Sequence, residues 1–174
     1  MKILKYIGIG LGGLIVLLAI IPVFLSSKSY VVRSVVVNAP ADSVYNYLSD
    51  FKNFKQWSPW QEKDPNMTTS IEGSGVGAVY SWKGNDQVGS GSMTIASADP
   101  NKSVTIDLKF IAPWQSQAIV KWSVAPEGNA TKVSWEMSQD LSYGQRYFGM
   151  MMDKMIGPDF EKGLSKLKAN LEIK

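Results

Sequence analysis

"SVTIDLKFI", residues 103–111, places Val104, Ile106, Leu108 and Phe110 on one side of an extended chain and Thr105, Asp107 and Lys109 on the other. Alternation with period two marks a strand with one buried and one wet face. The pattern continues in both directions. "GAVYSWKG" (77–84) groups Ala78, Tyr80 and Trp82, and "SQAIVKWSVAP" (116–126) groups Ala118, Val120, Trp122 and Val124. "ATKVSWEMSQDL" (130–141) groups Val133, Trp135 and Met137. Turn-forming clusters at 84–86, 99–102, 112–114 and 126–129 separate these runs, which predicts antiparallel strands. "MTTSIEG" (67–73) and "VGSGSMTIAS" (88–97) are further strands, the second weakened by Gly89 and Gly91. Glycines inside a strand accompany a sharp bend or a close approach.

Helical spacing brackets this region. Before it, the Val-rich "SYVVRSVVVNAP" (29–40) predicts a strand, and "PADSVYNYLSD" (40–50) a short helix with Val44, Tyr45 and Leu48 on one face. Asp50 is placed to cap a second short helix, "FKNFKQW" (51–57), whose Phe51, Phe54 and Trp57, with Trp60 beyond, recur every third residue. After the strands, Phe148, Met152, Met155, Phe160, Leu164, Leu167 and Leu171 form the stripe of one long helix, which Gly157-Pro158 is expected to kink or split. A single long helix with only one apolar sheet face to cover predicts an α+β fold. In it a curved antiparallel sheet of about seven strands wraps around the C-terminal helix, and two short helices follow the first strand.

The 174-residue chain contains no cysteine and no histidine, which excludes disulfides, thiolate chemistry and any histidine-based triad or zinc site. Tyr6 to Ser27 carries no charge, and at about 1.5 Å per residue it makes roughly 33 Å of helix, about one bilayer core. Residues 1–28 are therefore expected to be a single-pass membrane anchor or a signal, and residues 29–174 one domain. Lys2, Lys5 and the terminal amine before the segment, against Lys28 and Arg33 after it, place the domain on the extracytoplasmic side. All 15 acidic residues follow Lys28, and the domain is formally neutral with its charges interspersed. Such a surface has no basic footprint for nucleic acid.

The chemistry-bearing candidates are few. "GSGVG" (73–77) lacks the spacing and the following helix of a phosphate loop and reads as a hairpin turn. Glu62 and Asp64 lie in the polar "QEKDPN", where solvated charge is the expected state. Asp140, Arg146, Asp153 and Lys154 are either salt-bridged surface or an anchor for a polar ligand head. Six Trp and eight Met, many at inward positions, suit either a solid core or an apolar pocket with few polar hooks. Tyr80 is the best single hook, since a buried phenol needs a partner.

"NAPADSVYNYLSDFKNFKQWSPW" (38–60), "GSGVGAVYSWKGN" (73–85), "VGSGSMTI" (88–95) and "DKMIGPDFEKGLSKLKANL" (153–171) together resemble the polyketide cyclase/dehydrase-like branch of the SRPBCC superfamily. That helix-grip group includes START lipid-transfer domains. The resemblance implies a seven-stranded sheet gripping the C-terminal helix over a deep apolar cavity. No catalytic motif of the family can be placed on this chain residue by residue. The expected ligand-binding residues are Trp57, Trp60, Tyr80, Trp82, Phe110, Trp122, Trp135, Met152 and Met155, with no metal and no cofactor. The expected function is a membrane-tethered binding module for a hydrophobic small molecule or lipid. The alternatives are a cyclase/dehydratase-type enzyme on a hydrophobic substrate, or a protein-interaction domain without a cavity.

Overall fold

Seven strands pair into one antiparallel sheet: β1 (Lys28–Val37), β2 (Thr68–Glu72), β3 (Val79–Lys83), β4 (Ser90–Asp99), β5 (Ser103–Ala112), β6 (Ser116–Glu127) and β7 (Ala130–Asp140). Their order across the sheet is β1-β7-β6-β5-β4-β3-β2, so every neighbour is consecutive in sequence except β1 and β7. The N-terminal helix is α1 (Lys2–Phe24); α2 (Ala41–Leu48), α3 (Phe51–Trp57) and the single turn α4 (Trp60–Lys63) lie between β1 and β2. A 3-10 turn at Tyr143–Gln145 leads into the long α5 (Arg146–Glu172). This computed structural model describes residues 2–172. The terminal amine and the side chains of Lys2 and Lys5, counted in the charge bias, and the last two residues of the 29–174 domain lie outside the described part.

The period-two reading of the strands translates into burial. Val104, Ile106 and Leu108 of β5, Ala118, Val120, Trp122 and Val124 of β6, and Val133, Trp135 and Met137 of β7 are all buried. Trp122 stands opposite Trp135 in the β6–β7 register, so two indoles meet on the concave face. Against them packs α3. Its N-cap Asp50 accepts a hydrogen bond from the Lys52 N–H at 2.9 Å, satisfying one of the donors that a helix start leaves free. Spacing by threes then buries Phe51, Phe54 and Trp57 together. The Phe54 ring stacks on Trp122 at 5.5 Å, and Trp57 meets Trp122 and Trp135 edge-on at 5.1 Å each. Aromatic pairs in these geometries contribute about 0.5–1.5 kcal/mol each beyond the area they bury.

Two local expectations are corrected. Pro158 does not split the last helix, which runs unbroken from Arg146 to Glu172. Packing on both sides of the Pro holds it: Phe160 stacks on Trp135 at 4.2 Å, and the Arg33 guanidinium lies against Gly157, where a Cβ would stand 2.1 Å from Arg33 Nη2. Asp64, read as a solvated loop charge, is buried. Its carboxylate accepts the Asn85 N–H at 2.7 Å and the Asn66 N–H at 3.0 Å, tying the chain after α4 to the β3–β4 turn. The one-turn α4 after Pro59 is an addition to the two short helices expected. "GSGVG" is the β2–β3 connection, with Gly73, Gly75 and Gly77 all at positive φ, a backbone that residues with a Cβ adopt only under strain.

Candidate functional site

Toward the end of the sheet where β5 stops and β6 starts, the sheet and α5 do not close on each other. A cavity of about 280 Å³ remains between them. The sheet contributes Tyr80 and Trp82 from β3, Met93 from β4, Leu108 and Phe110 from β5, Val120 from β6, and Trp135 and Met137 from β7. Alternation explains why: on each strand the inward residues near this end continue the buried set of the core. The helix side is Met155, Ile156, Asp159 and Phe160, and α3 and α4 supply Phe54 and Trp60. Met155 lines the cavity yet is 59% exposed, so it marks the mouth.

Of the nine residues expected at the site, Trp60, Tyr80, Trp82, Phe110, Trp135 and Met155 line this cavity. Trp57 and Trp122 do not. Both are fully buried in the aromatic core beneath α3. Met152 lies one helical turn outside the mouth, partly buried against the core. Period two assigns a side chain to a face of the sheet, not to a depth along it, so filled core and open cavity could not be told apart on one face. Phe54, Met93 and Met137 carried the same inward signal and belong to the cavity wall as well.

The polar content of the wall is sparse and specific. Three wall residues carry a polar atom that is fully buried and has no hydrogen-bond partner among the described residues: the Tyr80 hydroxyl, Ser58 Oγ and Trp135 Nε1. Burial pushes the Tyr80 phenol up to about 12, a rise that the nearby Thr69 hydroxyl moderates without closing a hydrogen bond. The group is therefore a neutral donor and acceptor at physiological pH. At the rim, Lys63 Nζ of α4 meets Asp159 Oδ2 of α5 at 2.5 Å. Neither residue signals the other in sequence, since 96 positions separate them. The pair clasps α4 over the helix beside the opening.

A second clasp lies outside the cavity. Glu62 accepts from both Lys162 and Lys166, successive turns of α5, and these hydrogen bonds lower its carboxyl to about 2. A carboxylate depressed in the folded state adds stability that is complete above the unfolded value of 4.5 and fades as pH falls toward 2. The melting temperature of Glu62→Gln should therefore lie below that of the parent at about pH 6 and converge with it at about pH 2. Thermal scans across that window test this. The gap should be small, because the carboxylate is half exposed and water screens the pair. Three of the four charges grouped in the sequence reading disperse: Asp140 pairs with Lys28 and Asp153 with Arg33, while Arg146 reaches α1.

Residues 30–172 match the family described as polyketide cyclase / dehydrase and lipid transport. The chain belongs to that family. As a member, it is a hydrophobic-ligand-binding or cyclase-like module. No curated protein matches its sequence. Among solved structures, it resembles a protein from Nitrosospira multiformis at 18% identity and a TM-score of 0.60, over 82% of this chain and 95% of that one. It also resembles the Aha1 dimer from Colwellia psychrerythraea at 20% identity and a TM-score of 0.56, over 83% of this chain and 96% of that one. A third likeness is to the di-domain ARO/CYC StfQ from the steffimycin biosynthetic pathway, with 11% identity and a TM-score of 0.63. It covers 83% of this chain and 51% of StfQ, so the family member spans about half of that protein. At these identities the likeness is one of fold.

Proposed function

We propose that this family member is a membrane-tethered binding module for a hydrophobic small molecule or lipid, which it holds between the sheet and α5. Residues 1–28 act as the tether and residues 29–174 as the binding domain. The observation that carries the reading is the cavity wall, which is made mostly of apolar rings and methionines. An apolar body gains affinity by leaving water for such a wall. Methionines at 67, 93, 137 and 155 let the wall adjust to the shape of its occupant. The tether rests on the Tyr6–Phe24 stretch of α1, 19 residues that expose nearly all their apolar side chains. The basic residues on its two sides carry the extracytoplasmic orientation. A cyclase-type reading draws on one observation, that the cavity-lining Tyr80 keeps its phenol protonated and so could serve as an acid.

The test is native mass spectrometry of the full chain released from detergent, beside a Leu108→Trp variant that fills the cavity from β5. The expected result is an apolar mass that travels with the parent and is missing from the variant. Affinity for a fluorescent fatty acid should fall about tenfold or more in the variant, at least 1.4 kcal/mol. Equal binding by the two proteins would place the ligand elsewhere, and binding by neither would remove the reading. Chemical conversion of the extracted ligand on incubation, lost in Tyr80→Phe, would turn it to the cyclase.

A further inference from the structure

The strand register fixes what lies at each end of the sheet. Lys28 pairs with Asp140, Phe110 with Ser116, Ser90 with Ala112, and Thr68 with Lys83. One end of the sheet therefore gathers the exit of α1, the start of α5, the β5–β6 loop, the β3–β4 turn and the chain after α4. The cavity mouth is at that same end, since Lys63, Met67, Val88 and Met155 line it.

Exposed apolar side chains concentrate there. The β5–β6 loop presents Ile111 and Trp114, the latter 81% exposed, and the first turns of α5 present Phe148, Met150, Met151 and Met155. On the helix, Phe148, Met151 and Met155 share one face with the cavity-lining Asp159, so this apolar surface is continuous with the mouth.

An independent set of contacts fixes the depth. Pro22 has no N–H to give to the Leu18 carbonyl, and the Tyr147 hydroxyl donates to that carbonyl instead. The Tyr143 hydroxyl donates to the Ala19 carbonyl, and Arg146 Nη1 to the Pro22 carbonyl at 2.8 Å. These acceptors lie inside the apolar span, which ends at Phe24. Six residues from Leu18 to Phe24 correspond to about 9 Å along a helix axis. The domain is thus not hung from a loose tether. Its 3-10 turn and the start of α5 reach down the side of α1 by roughly the 5–10 Å at which interfacial helices sit among lipid headgroups. Tyr and Arg are the side chains suited to that layer, with an apolar body and a polar tip.

We propose that this end of the domain is a membrane-docking surface. The mouth of the cavity is seated in the headgroup layer of the bilayer that α1 spans. Ile111 and Trp114 insert on one side of it, and Phe148, Met151 and Met155 on the other. An apolar ligand then passes between lipid and cavity without crossing water. The proposal rests on the reading of α1 as a membrane tether and adds to it an orientation of the binding domain.

The chain has no cysteine, so single substitutions can carry a spin label without further changes. Full-length Ile111→Cys, Trp114→Cys and Met151→Cys would be labelled in vesicles of phosphatidylethanolamine and phosphatidylglycerol. Ile15→Cys reports on the tether, and Asn129→Cys, at the opposite end of the sheet, reports on water. Accessibility to oxygen relative to a water-soluble nickel reagent gives immersion. The expected result is a ratio at positions 111, 114 and 151 several-fold above that at 129 and approaching that at 15. A lipid-like ratio at 15 with water-like ratios at the three docking positions overturns the docking surface and leaves the tether standing. A water-like ratio at 15 overturns both. Dipolar broadening between labels on separate chains, with low oxygen access, would show a second copy covering this face and also overturns the proposal. All four domain positions are on the surface, so no single variant that misfolds decides the outcome.

Discussion

Replacing Trp122 with alanine should lower the melting temperature by about 10 °C while leaving the ligand cavity in place. Trp122 is fully buried and touches four rings, with centroids at 6.3 Å to Phe51, 5.5 Å to Phe54, 5.1 Å to Trp57 and 6.0 Å to Trp135. Its indole N–H has no partner among the described residues, so truncation loses packing and no hydrogen bond. Trp→Ala changes in cores cost about 3–5 kcal/mol. In a protein of this size each kcal/mol moves the melting point by about 2–4 °C. Calorimetry measures the shift. A drop of only a degree or two would mean that α3 collapses into the space the indole leaves. Ligand affinity measured well below the melting point should change little, because Trp122 does not line the cavity.

Gly91→Val should cost about 3 kcal/mol, at the upper end of what overpacking usually causes. Gly91 stands in β4 between Trp82 of β3 and Phe110 of β5, beside a register shift in the β4–β5 ladder. A Cβ there would lie 2.2 Å from the Lys109 carbonyl oxygen and 2.5 Å from the Trp82 ring. The carbonyl belongs to the backbone and cannot swing aside, so β4 and β5 must part locally. Trp82 would move too, and it meets Phe110 edge-on at 5.8 Å in the cavity wall. Thermal melts read the cost, and faster amide exchange in β4 and β5 locates it. Unchanged melting would show that the sheet yields at this point more easily than its geometry implies.

Much of this architecture is visible in the sequence because period and burial coincide. The strand around Ile106, the helix capped by Asp50 and the stripe from Phe160 to Leu167 each follow from local spacing, whereas Phe148 and Met155 of the same stripe are exposed. Gly91 was also legible as a place of close approach, though only coordinates identify the Lys109 carbonyl as what it approaches. The candidate site was less legible. Trp122 and Trp135 look alike in a linear pattern, both inward on neighbouring strands, yet Trp122 lies in the solid core and Trp135 also lines the cavity. Lys63 and Asp159 are ordinary loop and helix charges until the fold sets them 2.5 Å apart. Asp64 reads as solvated because its two N–H partners come from backbone, which carries no side-chain signature.

The strand order has a consequence for how the protein is made. β1 pairs only with β7, yet it ends at Val37 while β7 begins at Ala130. At about 5–20 residues per second, the ribosome needs roughly 5–20 s to supply the missing partner. The six later strands can zip into successive hairpins as they emerge. Throughout that interval "YVVRSVVV" (30–37) waits as an open template for foreign strands. Arg33, in its middle, puts a charge on this segment, which guards it against aggregation until α5 arrives with Asp153 and Glu161 to receive that charge.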